Sequence, residues 1–142
     1  TFIAAQVHGS DRSLLSNSAK VTDLLSAGDV HHIFPKEFLK KNGIDDKSMY
    51  NQVANYAYLD TGVNISIGKQ APQDYFTAAL NQCATKELKV GTITENTALR
   101  DNLTVNCIPA DIFTMTAADY EKFLKERRIL MAKKIKEYYN SL

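Results

Sequence analysis

The chain predicts a helix-rich α+β domain carrying one small β-hairpin. Two short runs have strand character, Val30 to Ile33 and Tyr56 to Leu59, the second with aromatic residues suited to a pleated surface. Elsewhere apolar residues recur at helical spacing, most clearly at Tyr120, Phe123, Leu124, Met131, Ile135, Tyr138 and Leu142. A chain of 142 residues with 44% hydrophobic and 23% charged content can bury a core as one globular unit without disulfides or structural metal. The expected organisation is therefore a single domain over residues 1–142 with a helical C-terminal extension.

Taken in order, residues 1–28 carry no decisive pattern: breaks fall at Gly9-Ser-Asp11 and Ser16-Asn-Ser18, and Val21, Leu24 and Leu25 form too short a helical run. The first strand leads into Phe34-Pro35. Pro35 is suited to the first position of a brief helix, where its missing N–H costs nothing, and that helix would run from Lys36 to Lys41 and close at Gly43. Asp45 or Asp46 can cap a further turn before Asn51. After the second strand, Asp60-Thr-Gly62 turns the chain into a short helical piece bearing Asn64. Pro72 starts a firmer helix in which Phe76, Leu80 and Cys83 share a face. Thr94 is the expected cap of a helix that buries Leu99 and Leu103 and ends before Pro109. Thr116-Ala-Ala-Asp119 has the form of a capping box with Asp in place of Glu.

Several function classes are set aside at this stage. Phosphate-binding loop, dinucleotide, serine-hydrolase and zinc-deaminase patterns are absent. No apolar stretch approaches the roughly 18 residues of a membrane span, and no signal peptide is visible. Cys83 and Cys107 lack metal-ligand spacing and read as buried thiols of a reducing, cytoplasmic setting. The net charge of +1 does not decide for or against nucleic acid. The chain starts at Thr1, followed by the apolar run to Val7, which leads us to expect a fragment of a longer protein.

The most informative segment is Asp29-Val-His-His-Ile-Phe-Pro35, which holds two of the three histidines, His31 and His32. Consecutive strand residues point to opposite faces, so the two cannot do the same job. One can ligate an ion while the other addresses a water beside a phosphodiester, since imidazole titrates near neutrality. Asn64 offers a neutral carbonyl oxygen as a further ligand. Two protein ligands leave positions open for phosphate oxygens, which suits a catalytic ion rather than a structural one.

This order of residues, followed by Asn55 and, nine positions later, Asn64, resembles the HNH endonucleases, also called ββα-metal or His-Me finger nucleases. The resemblance implies a ββα-metal hairpin-plus-helix core over about residues 29–70, embedded in a mainly helical domain. It makes His31 the first metal ligand, His32 the general base and Asn64 the second ligand. Asn55 becomes the middle Asn that ties the loop and helps orient the base. One divalent cofactor is implied. A His at the first-ligand position suits Zn, Ni or Mn as well as or better than Mg, and Asp29, on the same strand face as His31, could add charge directly or through water.

Further runs, Asn64-Ile-Ser-Ile-Gly-Lys-Gln-Ala-Pro72, Asn106-Cys-Ile-Pro109 and Tyr120 to Arg128, are similar to the C-terminal HNH domains of modification-dependent restriction enzymes and related bacterial defence proteins. That narrower likeness implies DNA as partner and an N-terminal, ParB-like regulatory domain outside this chain. Lys69 would then contact a phosphate, or be a solvated lysine. The final helix has seven basic residues against four acidic ones, read as a solvated face in preference to a track for a DNA backbone. His8 reads as a surface or interface residue. The rival to a nuclease is a nucleic-acid-binding or scaffold domain that keeps the fold without the metal, and an RNA-directed nuclease would share the same chemistry.

Overall fold

The computed structural model describes residues 1–26 and 29–142. It is an α+β domain, mainly helical, with one two-stranded antiparallel sheet. The helices are α1 (Phe2–His8), α2 (Val21–Leu24), α3 (Lys36–Lys41), α4 (Lys47–Tyr50), α5 (Thr61–Ile67), α6 (Pro72–Thr85), α7 (Asn96–Val105) and α8 (Tyr120–Asn140). The strands are β1 (Asp29–His32) and β2 (Tyr56–Leu59), paired Asp29 with Leu59, Val30 with Tyr58, His31 with Ala57 and His32 with Tyr56. No helix among the described residues is long and apolar enough to cross a membrane.

Local chemistry explains most element ends. Asp46 Oδ1 accepts from Ser48 N at 2.9 Å and opens α4, whereas Asp45 takes no part in the cap. Asp60 does the same for α5 through Gly62 N at 3.0 Å. The Thr116/Asp119 box forms and opens a 3₁₀ turn (Ala117–Asp119) that runs into α8. Pro35 stands one residue outside α3 rather than within it, and Gly43, with φ +86°, follows the Asn42 C-cap.

One core joins Phe34, Leu39, Leu59, Ile67, Tyr75, Phe76, Leu99, Ile112, Tyr120 and Phe123. Within it α1 packs on α8, α2 on β2, α6 on α7, and α5 on β1. The long connection from β1 to β2 folds back over the same core through Leu39 and Tyr50, so both strand ends next to the turn are fixed by packing.

Four sequence-based expectations need correction. Thr94 does not cap α7. The N-cap is Glu95, while the Thr94 carbonyl instead accepts from Lys86 Nζ. Leu80 does not share the buried face of α6; it is exposed, and Tyr75, Ala79 and Gln82 accompany Phe76 and Cys83 inside. Leu142 lies beyond the end of α8 and is exposed. Arg127, counted in the solvated basic face of α8, is fully buried at 0% exposure. For Leu80 and Arg127 side-chain type alone misjudged which arc of the helix meets the core, whereas Thr94 and Leu142 are errors of helix ends, which lie one residue later and two residues earlier than expected.

Two long-range polar locks hold the N-terminal segment. Asn102 accepts from Leu15 N (2.8 Å) and donates to Ser13 O (2.9 Å) and Ser16 O (3.3 Å). Thr92 N donates to Leu15 O at 3.0 Å. The adjoining Gly91 has φ +70°, and a Cβ there would stand 2.2 Å from Leu15 O, so only glycine fits.

Candidate functional site

The end of β1 is pinned by two side chains from other elements. Asn55, fully buried in the 3₁₀ turn (Val53–Asn55) before β2, accepts from Phe34 N at 2.8 Å and donates to Phe34 O (3.1 Å) and Tyr50 O (3.2 Å). Its own carbonyl accepts from Ile33 N at 2.8 Å. The amide therefore extends the strand pairing past β1, using all of its side-chain polarity on backbone partners. From α6, Tyr75 donates its hydroxyl to Ile33 O at 2.5 Å, and its ring stands edge-on to His31 with centroids 6.3 Å apart. Burial holds the Tyr75 phenol well above its ordinary pKa, so it stays a neutral donor.

His31 and His32 part company as strand geometry requires. His31 is buried at 6% exposure opposite Ala57, whose small side chain leaves room for the ring. Burial, and then the neighbouring His32 charge, lowers its pKa from 6.5 to about 4, against an opposing contact with Asn64. It is thus neutral near pH 7, and its Nε2 is buried without a hydrogen-bond partner. His32 is half-buried. Its Nε2 lies 2.9 Å from Asn51 Oδ1 and its ring packs edge-on against Tyr50 and Tyr56. An amide oxygen only accepts, so this bond places the ring proton on Nε2 and leaves the Nδ1 lone pair free.

Asn64, on the second turn of α5, donates Nδ2 to Asp29 Oδ2 at 3.2 Å. That orientation leaves its carbonyl oxygen as the free end. His31, His32 and Asn64 line one open depression of about 230 Å³ together with Val30, Pro35, Lys36, Glu37, Gly68 and Lys69. Lys69 is exposed and lines the depression. Asp29 does not line the depression and reaches it only through the Asn64 amide. Asn55 lies beneath it and touches no group that faces solvent.

The residues present fit a divalent ion. An unpartnered buried imidazole nitrogen and an amide oxygen lining the same depression are donor types that borderline-hard divalent cations accept. Among the described residues no group of three or more His, Cys, Asp or Glu could hold a metal, so the protein's ligands here would be His31 and the Asn64 carbonyl, with the remaining positions open.

Sequence reasoning missed Asn51. Asn55, expected to tie the loop and help orient the second imidazole, bonds the backbone of Phe34 and Tyr50, and the side chain in direct contact with His32 is Asn51. Asn51 follows α4 as its C-cap, a place where Asn is common for local reasons, so nothing in the sequence marked it. Lys36 and Glu37 were read only as helix residues. They face the depression because α3 starts directly after the Phe34-Pro35 bend. Comparison with protein-family models, with curated proteins and with solved structures returned no match.

Proposed function

We propose that the chain is a metal-dependent DNA endonuclease domain of the HNH type, the nuclease part of a bacterial restriction or defence enzyme acting in the cytoplasm. The observation that carries this reading is the convergence of His31, His32 and Asn64, drawn from β1 and α5, on one open depression. Each of the three brings a different kind of donor atom to its lining. His31 offers an unpartnered, neutral imidazole nitrogen, Asn64 an amide oxygen and His32 an Nδ1 lone pair.

These groups suit phosphodiester hydrolysis. A divalent ion held by His31 and Asn64 would polarise the phosphate and offset the charge growing on the leaving oxygen. Asn51 holds His32 with Nδ1 available, and His32 takes the proton of the water that attacks phosphorus in line with the departing 3′-oxygen. The new P–O bond forms as the old one breaks, the leaving oxygen gains a proton from solvent, and the ends are a 5′-phosphate and a 3′-hydroxyl. Asp29 keeps the Asn64 carbonyl turned away from itself by taking its NH₂. Lys36 and Lys69 on the rim meet the flanking phosphates. Choice of sequence or modification is assigned to the N-terminal regulatory domain expected outside this chain.

The test is nicking of supercoiled plasmid with Mg²⁺, Mn²⁺, Ni²⁺, Zn²⁺ or EDTA, with a matched RNA duplex in parallel. Wild type should cut DNA only with a metal, and His32→Ala should be slower by roughly 10²-fold or more. Asn64→Ala should lose Mn²⁺ affinity in calorimetry while remaining folded. Equal cutting by wild type and His32→Ala removes His32 from the mechanism. Cutting of RNA alone moves the substrate to RNA.

A further inference from the structure

Arg127 sits in the middle of α8 with no exposed surface, among Tyr120, Phe123, Leu124 and Met131. Among the described residues it forms no ion pair with a carboxylate. Its guanidinium lies over the Phe2 ring at 5.6 Å, and its Nε has no hydrogen-bond partner. Burying an unpaired cation is costly, and burial pulls its pKa down from 12.5 to about 10. A fifth apolar residue would complete this helix face without that cost, so packing does not explain the side chain.

What only a guanidinium supplies is its fork. Nη1 donates to Ala54 O at 2.9 Å and to Tyr56 O at 2.6 Å, and Nη2 donates to Asn106 O at 3.1 Å. Ala54 and Tyr56 are the two residues that bracket Asn55. A rigid planar group holding both carbonyls fixes the peptide planes on either side of Asn55, and so the direction of its side chain. That side chain in turn holds the backbone of Phe34, next to His32 and Ile33.

We infer that Arg127 is a positioning residue: from the C-terminal helix it sets the Asn55 turn, and through it the end of β1 that carries His31 and His32. The inference rests on the nuclease reading for its catalytic consequence, but its structural half is measurable without any activity. The guanidinium has no exposed surface, so its effect reaches the histidines through the groups it holds, the Asn55 turn and Tyr56, the strand partner of His32.

The experiment compares Arg127→Met, which completes the apolar face, with Lys134→Met. Lys134 lies on the same helix, where it pairs with Asp11 and donates to Val105 O, away from the depression. The readouts are thermal stability, amide hydrogen exchange at Ile33 and Phe34, and steady-state DNA cleavage. Arg127→Met is expected to fold, to speed exchange at both amides by 10-fold or more, and to lower kcat by roughly 10- to 100-fold with KM within twofold. Lys134→Met is expected to change stability only. Arg127→Lys, which keeps the charge without the fork, carries the same readouts should the methionine variant fail to fold. Unchanged exchange at Ile33 and Phe34 in a folded variant overturns the inference, as does a kcat loss no larger than that of Lys134→Met. Failure of both variants to fold also overturns it, by making Arg127 a general structural residue. If wild type does not cut DNA, the nuclease reading falls and the exchange data alone decide the role of Arg127.

Discussion

Acidification should destabilise this domain through His31 before most carboxylates are protonated. The perturbation is a pH change from 7.5 to 4.5, made in wild type and in His31→Gln. In the folded chain the His31 pKa is lowered from 6.5 to about 4, chiefly by burial. The unfolded chain therefore binds the proton first as pH falls, and stability must decrease across that window. The contribution is complete above about pH 7, declines from 6.5 towards 4, and changes no further once both states are protonated. At about 1.4 kcal/mol per pH unit, a shift of this size corresponds to about 3 kcal/mol. The ring is nearly inaccessible, so solvent screening takes little from that figure. Urea unfolding followed by circular dichroism at half-unit pH steps gives the profile. Wild type should lose about 3 kcal/mol more than His31→Gln between pH 7.5 and 4.5. Parallel profiles for the two proteins would refute the argument, because they would mean that the folded chain accommodates the charged ring. A divalent ion on His31 would steepen the wild-type profile further, since it competes with the proton for the same nitrogen.

Other consequences follow from the same contacts. Asn55→Ala leaves Phe34 N, Phe34 O and Tyr50 O buried without their partner, which should cost about 3 kcal/mol or more in urea unfolding. Gly91→Ala should cost more than about 2 kcal/mol because its Cβ would meet Leu15 O at 2.2 Å. Gly43→Ala, also at positive φ but with nothing within 4 Å, should cost only the backbone strain of about 1 kcal/mol. Equal melting temperatures for the two glycine variants would show that the Leu15 loop yields.

The parts of this protein that a linear reading captured are those governed by neighbours in the chain. Alternation placed His31 and His32 on opposite faces, Thr116-Ala-Ala-Asp119 was legible as a capping box, and a cap was expected at Asp45 or Asp46, of which the structure uses Asp46. Those features depend on neighbours in the chain, so composition and order encode them, whereas Asn55 and Asn64 meet β1 at its two ends, at Phe34 and at Asp29.

The polar residues that organise the interior were not legible. Arg127 looked like one more cation on a charged helix, and nothing in the sequence marked Asn51, Asn102 or Asn106 as organising residues. Their partners lie 71 to 73 residues away for Arg127 at the hairpin, 86 to 89 for Asn102 and 94 to 100 for Asn106 beyond its own helix. A side chain's own type does not reveal whether a distant carbonyl will face it, and burial reverses what that type implies. Local order therefore marked the helices after β1, the two strands and the histidine pair, but not α1 and α2, whose residues carry no decisive pattern. Only the folded chain decided which amide holds His32 and which cation is enclosed, since hydrogen bonds to buried backbone form where packing has already excluded water.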